Sequence, residues 1–238
     1  MSYLSWISDE KLISACTRLA SAVQQGKQQV ESKFDRNVID PFGACFSMAL
    51  LNMSANEWKR TEIHRQIDKA LSNAIGAFHQ QILSSINGWE DLNNSNQVDL
   101  VNTERKIIAE LKNKHNTLNA AGTITLYKKL SEMVNSKSSC YKGFTSYYVT
   151  IIPKSPSGVD GLFFPSDNAL GERCKQDEKI RVIDGLRFYS LASGSSTALQ
   201  DLFKAIPVVF HDQRIGDIQE RDYAFSSLLF CKAYDKKI

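Results

Sequence analysis

Apolar residues recur at helical spacing over residues 8–33, where Leu12, Ala15, Cys16, Leu19 and Val23 fall on one face. Ser8 stands ahead of them as an N-cap, and Asp9 and Glu10 place negative charge in the first turn, where the helix dipole favours it. Asn37-Val38-Ile39-Asp40-Pro41 breaks the pattern, because Pro41 pushes Asp40 toward extended backbone. The apolar run Phe42 to Asn52 predicts a short buried helix. Ser54 and Glu57 then form a capping box that opens a longer helix. Its apolar stripe is Ile63, Ile67, Leu71, Ala74, Ile75, Phe78 and Ile82, and its polar face carries Lys59, Arg60, Glu62, Arg65, Gln66 and Lys69.

Asn87-Gly88 ends that helix, and Asn93-Asn94-Ser95-Asn96 predicts a loop. A hairpin follows: Gln97 to Val101, a turn near Asn102-Thr103-Glu104, then Arg105 to Lys112. Ala120 to Val134 reads as a helix, and Phe144 to Ile152, rich in aromatic and β-branched residues, as a strand. Residues 153–179, with Pro153, Pro156, Pro165, Gly158, Gly161 and Gly171, form a long irregular stretch of the kind that often carries function. Ile180 to Leu191 predicts a strand, or a bent strand pair around Asp184-Gly185. Thr197 to Ala205 reads as a short helix, Val208 to Phe210 as a strand and Gln219 to Ala233 as a final helix. This order specifies a mixed α/β core with no internal repeat. We expect one domain over 1–238: an N-terminal helical part (1–53), a core (54–152), and a loop with C-terminal core elements (153–238).

Composition narrows the class. No run of about 18 apolar residues exists, so no membrane span is expected. The N-terminus has no apolar core of a secretory signal. Cys16, Cys45, Cys140, Cys174 and Cys231 are odd in number, widely spaced and without a CxxC, which points to reduced thiols and a cytoplasmic protein. His64, His79, His115 and His211 lack metal-ligand spacing, and neither GxxxxGK[ST] nor GxGxxG occurs. The net charge of +3 hides an asymmetry. Segment 105–142 holds eight Lys or Arg against two Glu, a net +6, so the remaining 200 residues carry 21 cations against 24 anions, −3. A concentrated basic stretch of this kind suits either a solvated face or a surface that meets phosphate.

That stretch begins in the hairpin. Glu110 and Lys112 are two apart on one strand and share a face, opposite Ile107, Ala109 and Leu111. A turn centred between Glu104 and Arg105 sets Asp99 directly opposite Glu110; a turn centred one residue earlier sets them diagonally on the same face. Two carboxylates this close repel unless a cation lies between them. Mg2+ is the natural candidate, since it is satisfied by one or two carboxylates, water and substrate phosphate. A neighbouring Lys then orients the attacking water and stabilises developing negative charge.

Asp99 with Glu110-Leu111-Lys112 resembles the signature of the PD-(D/E)xK nuclease superfamily, with Val98 where some members have Pro. The strand–turn–strand context, the following Asn113-Lys114-His115-Asn116-Thr117 before a helix, and the run Asp184 to Gly194 extend the resemblance to type II restriction endonucleases, nearest to the group cutting GGNCC-type sites. The resemblance implies a restriction-endonuclease-like core, a central mixed sheet flanked by helices. It implies Asp99 and Glu110 as Mg2+ ligands, Lys112 as the catalytic lysine, and an acid from the preceding helix, Glu62 or else Glu57. The implied activity is hydrolysis of double-stranded DNA at a short palindrome. The alternatives are a repair or structure-specific nuclease and a non-catalytic DNA-binding protein of the same fold.

A palindromic site calls for a homodimer, and a restriction enzyme for a cognate DNA methyltransferase as genetic partner. Lys114, His115, Lys128 and Lys129, with Arg60 and Arg65, are the expected phosphate contacts. Within 153–179, Lys154, Asp160, Asn168, Glu172, Arg173 and Lys175 are the expected base-edge readers, with Asn37 and Asp40 as further candidates.

Overall fold

The computed structural model describes residues 2–92, 98–167 and 171–235, without the side chain of Asp35. The expected loop 93–96, Gln97 and Asn168 lie outside the described residues. The chain divides into two compact units, Met1–Cys16 with His79–Ile238, and Thr17–Phe78.

The smaller unit is helical. It holds the greater part of α1 (Asp9–Lys33), a single 3-10 turn (Phe34–Arg36), α2 (Pro41–Leu50) and most of α3 (Ala55–Ser84). Asp40 caps α2 by accepting the Phe42 N–H at 3.0 Å, with Pro41 at the first helical position. The expected capping box is present: the Glu57 carboxylate accepts the Ser54 N–H at 2.8 Å, and Ser54 Oγ accepts the Glu57 N–H at 3.3 Å. The expectation that Phe42 to Asn52 is buried is corrected. No residue of α2 is buried, and Phe42, Phe46 and Leu50 are 71%, 59% and 78% exposed. An apolar run is only a demand for burial, and Phe42, Phe46 and Leu50 leave it unmet.

The larger unit is built on a six-stranded sheet of β1 (Glu90–Asp91), β2 (Leu100–Asn102), β3 (Ile107–Lys114), β4 (Thr145–Ile152), β5 (Asp160–Leu162) and β8 (Ile180–Asp184), in the order β1-β2-β3-β4-β8-β5. Strands β6 (Ser166–Asp167) and β7 (Glu172–Arg173) pair separately, so the expected irregular stretch 153–179 carries three short strands. The central strands β3, β4 and β8 are parallel, and β1, β2 and β5 run antiparallel to their neighbours. Helix α4 (Ala120–Asn135) covers one face, packing Leu126, Tyr127, Leu130 and Val134 against Val101, Ile108, Tyr148 and Ile180. On the other face α5 (Gly185–Ser193) sets Phe188 against Trp89 and Tyr147, with ring centroids 5.4 and 6.0 Å apart. Helices α6 (Ala198–Asp212) and α7 (Glu220–Tyr234) complete the unit.

Two expectations fail for local reasons. Asp184-Gly185 is not a strand turn but a helix start: Asp184 accepts the Arg187 N–H at 3.1 Å as the N-cap of α5. Gly185 is required there because a Cβ would press on the Ile151 backbone. Val208 to Phe210 is not a strand but the end of α6, where Leu199, Leu202, Ala205 and Val209 bury one helical face in spite of Pro207.

Candidate active site

Leu100 pairs with Ala109, Val101 with Ile108 and Asn102 with Ile107, so the turn centres between Glu104 and Arg105. Asn102 fixes it by accepting the Arg105 N–H at 2.9 Å through its side chain, and Lys106 takes the left-handed conformation at φ 53°. This is the first of the two registers that the sequence allows, held from Leu100 to Asn102. At Asp99 the ladder slips, as in a β-bulge: its N–H donates to Ala109 O at 3.1 Å, the residue already paired with Leu100. The Asp99 carboxylate turns inward and Oδ2 accepts the Leu111 N–H at 2.6 Å.

Glu110 is gripped from two sides. Lys112 Nζ donates to Oε1 at 2.7 Å, and Lys129 Nζ, from α4, donates to Oε2 at 3.1 Å. Burial and the negative charge of Glu110 push the Asp99 carboxyl above its usual range, against the Leu111 N–H and the two lysines, which lower it. Parallel pairing continues the row across the sheet: Lys112 lies beside Thr150, and Thr150 beside Asp184. Gln80 of α3 reaches the Asp99 carbonyl at 3.4 Å and Asp91 Oδ1 at 3.0 Å. Two carboxylates of this kind, half-buried and close enough for Glu110 to raise Asp99, suit a hard divalent cation whose remaining ligands are water and phosphate. Among the described residues no group of three acidic, His or Cys side chains forms a fuller metal cage.

A family profile for the Eco47II restriction endonuclease matches residues 4–213. The chain belongs to this family. It is therefore a type II restriction endonuclease, with the mixed α/β core of the PD-(D/E)xK type described above. It is 42% identical over 207 residues to the type II restriction enzyme Eco47II of Escherichia coli, covering 87% of this chain and 86% of that one. It is 29% identical over 216 residues to the type II restriction enzyme Sau96I of Staphylococcus aureus, covering 88% and 80%.

For this restriction endonuclease, the basic candidates of the larger unit fall into three groups. Lys114 and His115 are exposed where β3 ends, next to the hairpin. Lys128 and Lys129 are neighbours on α4, but Lys128 faces Asp167 Oδ2 at 3.6 Å while Lys129 turns to Glu110. In the stretch after β4, Lys154 and Lys175 are exposed, and Arg173 lies over the Phe164 ring at 5.2 Å. Glu172 is exposed on β7, and Asp160 is tied to Arg181 at 2.7 Å.

The remaining candidates belong to the smaller unit. Glu57 is held in its capping box, and Arg60 is exposed. Glu62 binds Arg65 at 2.6 Å and Gln66 at 2.9 Å, so its carboxyl is held below the usual range, first by Arg65. Asn37, Asp40, Glu62 and Arg65 line one groove of about 750 Å³ within that unit. Sequence reading missed the bond from Lys129 to Glu110 and the approach of Gln80 to Asp99. The only sequence signal for Lys129 was its place in the basic segment. Gln80 gave none. No described helix is long and apolar enough to cross a membrane.

Proposed function

We propose that this endonuclease hydrolyses phosphodiester bonds of double-stranded DNA at a short palindromic site of the GGNCC type, with Mg2+ held by Asp99 and Glu110. The observation that carries this reading is the hairpin register, which gathers Asp99, Glu110 and Lys112 within fourteen residues around one carboxylate pair. When bound, the ion supplies Lewis acidity at the scissile phosphate.

The protein's own groups do the rest. Lys112, released from Glu110, orients the attacking water and faces the negative charge that grows on the phosphate. The Leu111 N–H keeps Asp99 in place. Lys114, His115, Lys128 and Lys129 meet flanking phosphates, which set position and not sequence. Arg60 and Arg65 add contacts from the helical unit, and Glu62 is the expected helix acid. Lys154, Arg173 and Lys175 belong to the segment that reads base edges. The enzyme works in the cytoplasm as a homodimer, one site per strand, and a cognate methyltransferase protects host DNA.

Plasmid DNA incubated with the purified protein and Mg2+ tests this. The reading requires a discrete fragment ladder that disappears with Glu110→Ala or Lys112→Ala while circular dichroism is unchanged. A structureless smear would point to a non-specific nuclease, and no cleavage with any divalent ion would overturn the reading.

A further inference from the structure

Helix α2 has no charged residue over its ten positions, and it buries none of them. Phe42, Phe46 and Leu50 recur every fourth residue and form one ridge, exposed by 71%, 59% and 78%. Val38 and Leu51 extend it, exposed by 104% and 68%. Large apolar and aromatic side chains bring on the order of 150 Å² or more each. Five of them so exposed present on the order of 700 Å² of apolar surface, beyond the ~300–600 Å² patch of an ordinary monomer and near the ~800 Å² that each partner gives a stable interface.

The chemistry of the patch selects its occupant. A ridge without charge meets no like-charge repulsion when it faces its own copy, and ridges of four-residue spacing interdigitate with their like. A twofold axis repeats each contact. A second apolar face, Phe225, Leu228 and Leu229 of α7, is on average less exposed, at 62%, 59% and 50%, and shares its helix with Arg221, Asp222 and Lys232.

We propose that α2 packs against α2 of a second copy of this chain and forms the dimer interface. The inference rests on the reading that both strands of a palindrome are cut, which requires two active sites.

Sedimentation of Phe42→Asp/Phe46→Glu protein tests it. Both substitutions suit the helix: an acid in the first turn is favoured by the dipole, and Glu is a good helix former. Wild type should sediment at twice the 26.8 kDa chain mass and this variant at the single mass. Mixing it with Phe42→Lys/Phe46→Lys protein should restore the double mass, which a folding defect would not allow. On plasmid DNA the acidic variant should leave nicked circles where wild type leaves linear DNA. Phe225→Asp/Leu228→Asp protein should remain dimeric. The interface is overturned if the α2 variant keeps the double mass, if the α7 variant loses it, or if wild type sediments as a single chain. A wild-type dimer that depends on α2 but never cuts DNA would uphold the interface and sink the catalytic reading.

Discussion

The Lys129 ammonium lies 3.1 Å from Oε2 of Glu110, although nineteen residues separate them in sequence. With Lys112 on the other oxygen, Glu110 is a carboxylate shared by two cations. A metal ion can engage it fully only as at least one of those lysines lets go. DNA offers the displaced lysine a phosphate. Metal and DNA would then favour each other's binding through a change of partner by one side chain.

Lys129→Gln should therefore tighten Mn2+ or Ca2+ binding to the DNA-free protein. Lys129 is about one-third exposed, so the gain is modest: up to about 1 kcal/mol, roughly fivefold. The same variant should weaken DNA binding and reduce its salt slope by about one. Calorimetric metal titration and filter binding over a salt series read the two effects separately. Unchanged metal affinity in DNA-free protein would refute the exchange.

Asp99→Asn should separate stability from activity. The amide oxygen still accepts the Leu111 N–H, while the charge that burial and Glu110 disfavour is gone. Cleavage should fall by at least ~10²–10³. Tm should hold or rise, by about 2–4 °C for each kcal/mol gained in a chain of this size. A marked fall in Tm would show that the charge supports the fold.

His79 sets an acid limit on stability. Its Nδ1 lies 2.8 Å from the Tyr189 hydroxyl, and burial pushes its pKa down from 6.5 to about 4. Protons then bind the unfolded chain first. The stability linked to His79 is complete above pH 6.5 and is lost as pH falls toward 4, with a slope approaching ~1.4 kcal/mol per pH unit. Urea midpoints measured across this window should fall more steeply for wild type than for His79→Gln.

Gly158 and Gly171 share a left-handed backbone, at φ 71° and 70°, but not a neighbourhood. A Cβ at Gly158 would meet the Arg187 guanidinium and the Asp184 carboxylate, whereas one at Gly171 would meet nothing among the described residues. Gly171→Ala should cost about 1–2 kcal/mol from backbone strain alone. Gly158→Ala should cost clearly more, because it also pries Arg187 from Asp184 and from the Ser157 carbonyl, which Arg187 binds at 3.1 Å. Equal losses in thermal denaturation would contradict the crowding at Gly158.

The hairpin was legible because its register depends on near neighbours: a short turn and a period of two leave few ways to place Asp99 by Glu110. Lys129 was legible only as one cation in a basic run, since its partner is set by how α4 lies on the sheet. Asp184-Gly185 misled for a chemical reason, as the same pair suits a tight turn or a capped helix start, and Phe188 and Tyr189 decide the matter by burying the helix. Helix α2 misled because hydrophobicity announces that a surface will be covered without saying by what.

The sheet order has a further consequence. Strand β3, which carries Glu110 and Lys112, is paired in the sheet with β2 and β4, while the stretch 153–179 joins the sheet at its margin through β5, with β8 and β4 standing between. Lengthening or rewriting that stretch disturbs the border of the sheet and leaves the bonding of the hairpin intact. Such a layout would let a lineage exchange the proposed DNA-reading surface while the proposed catalytic hairpin is inherited whole.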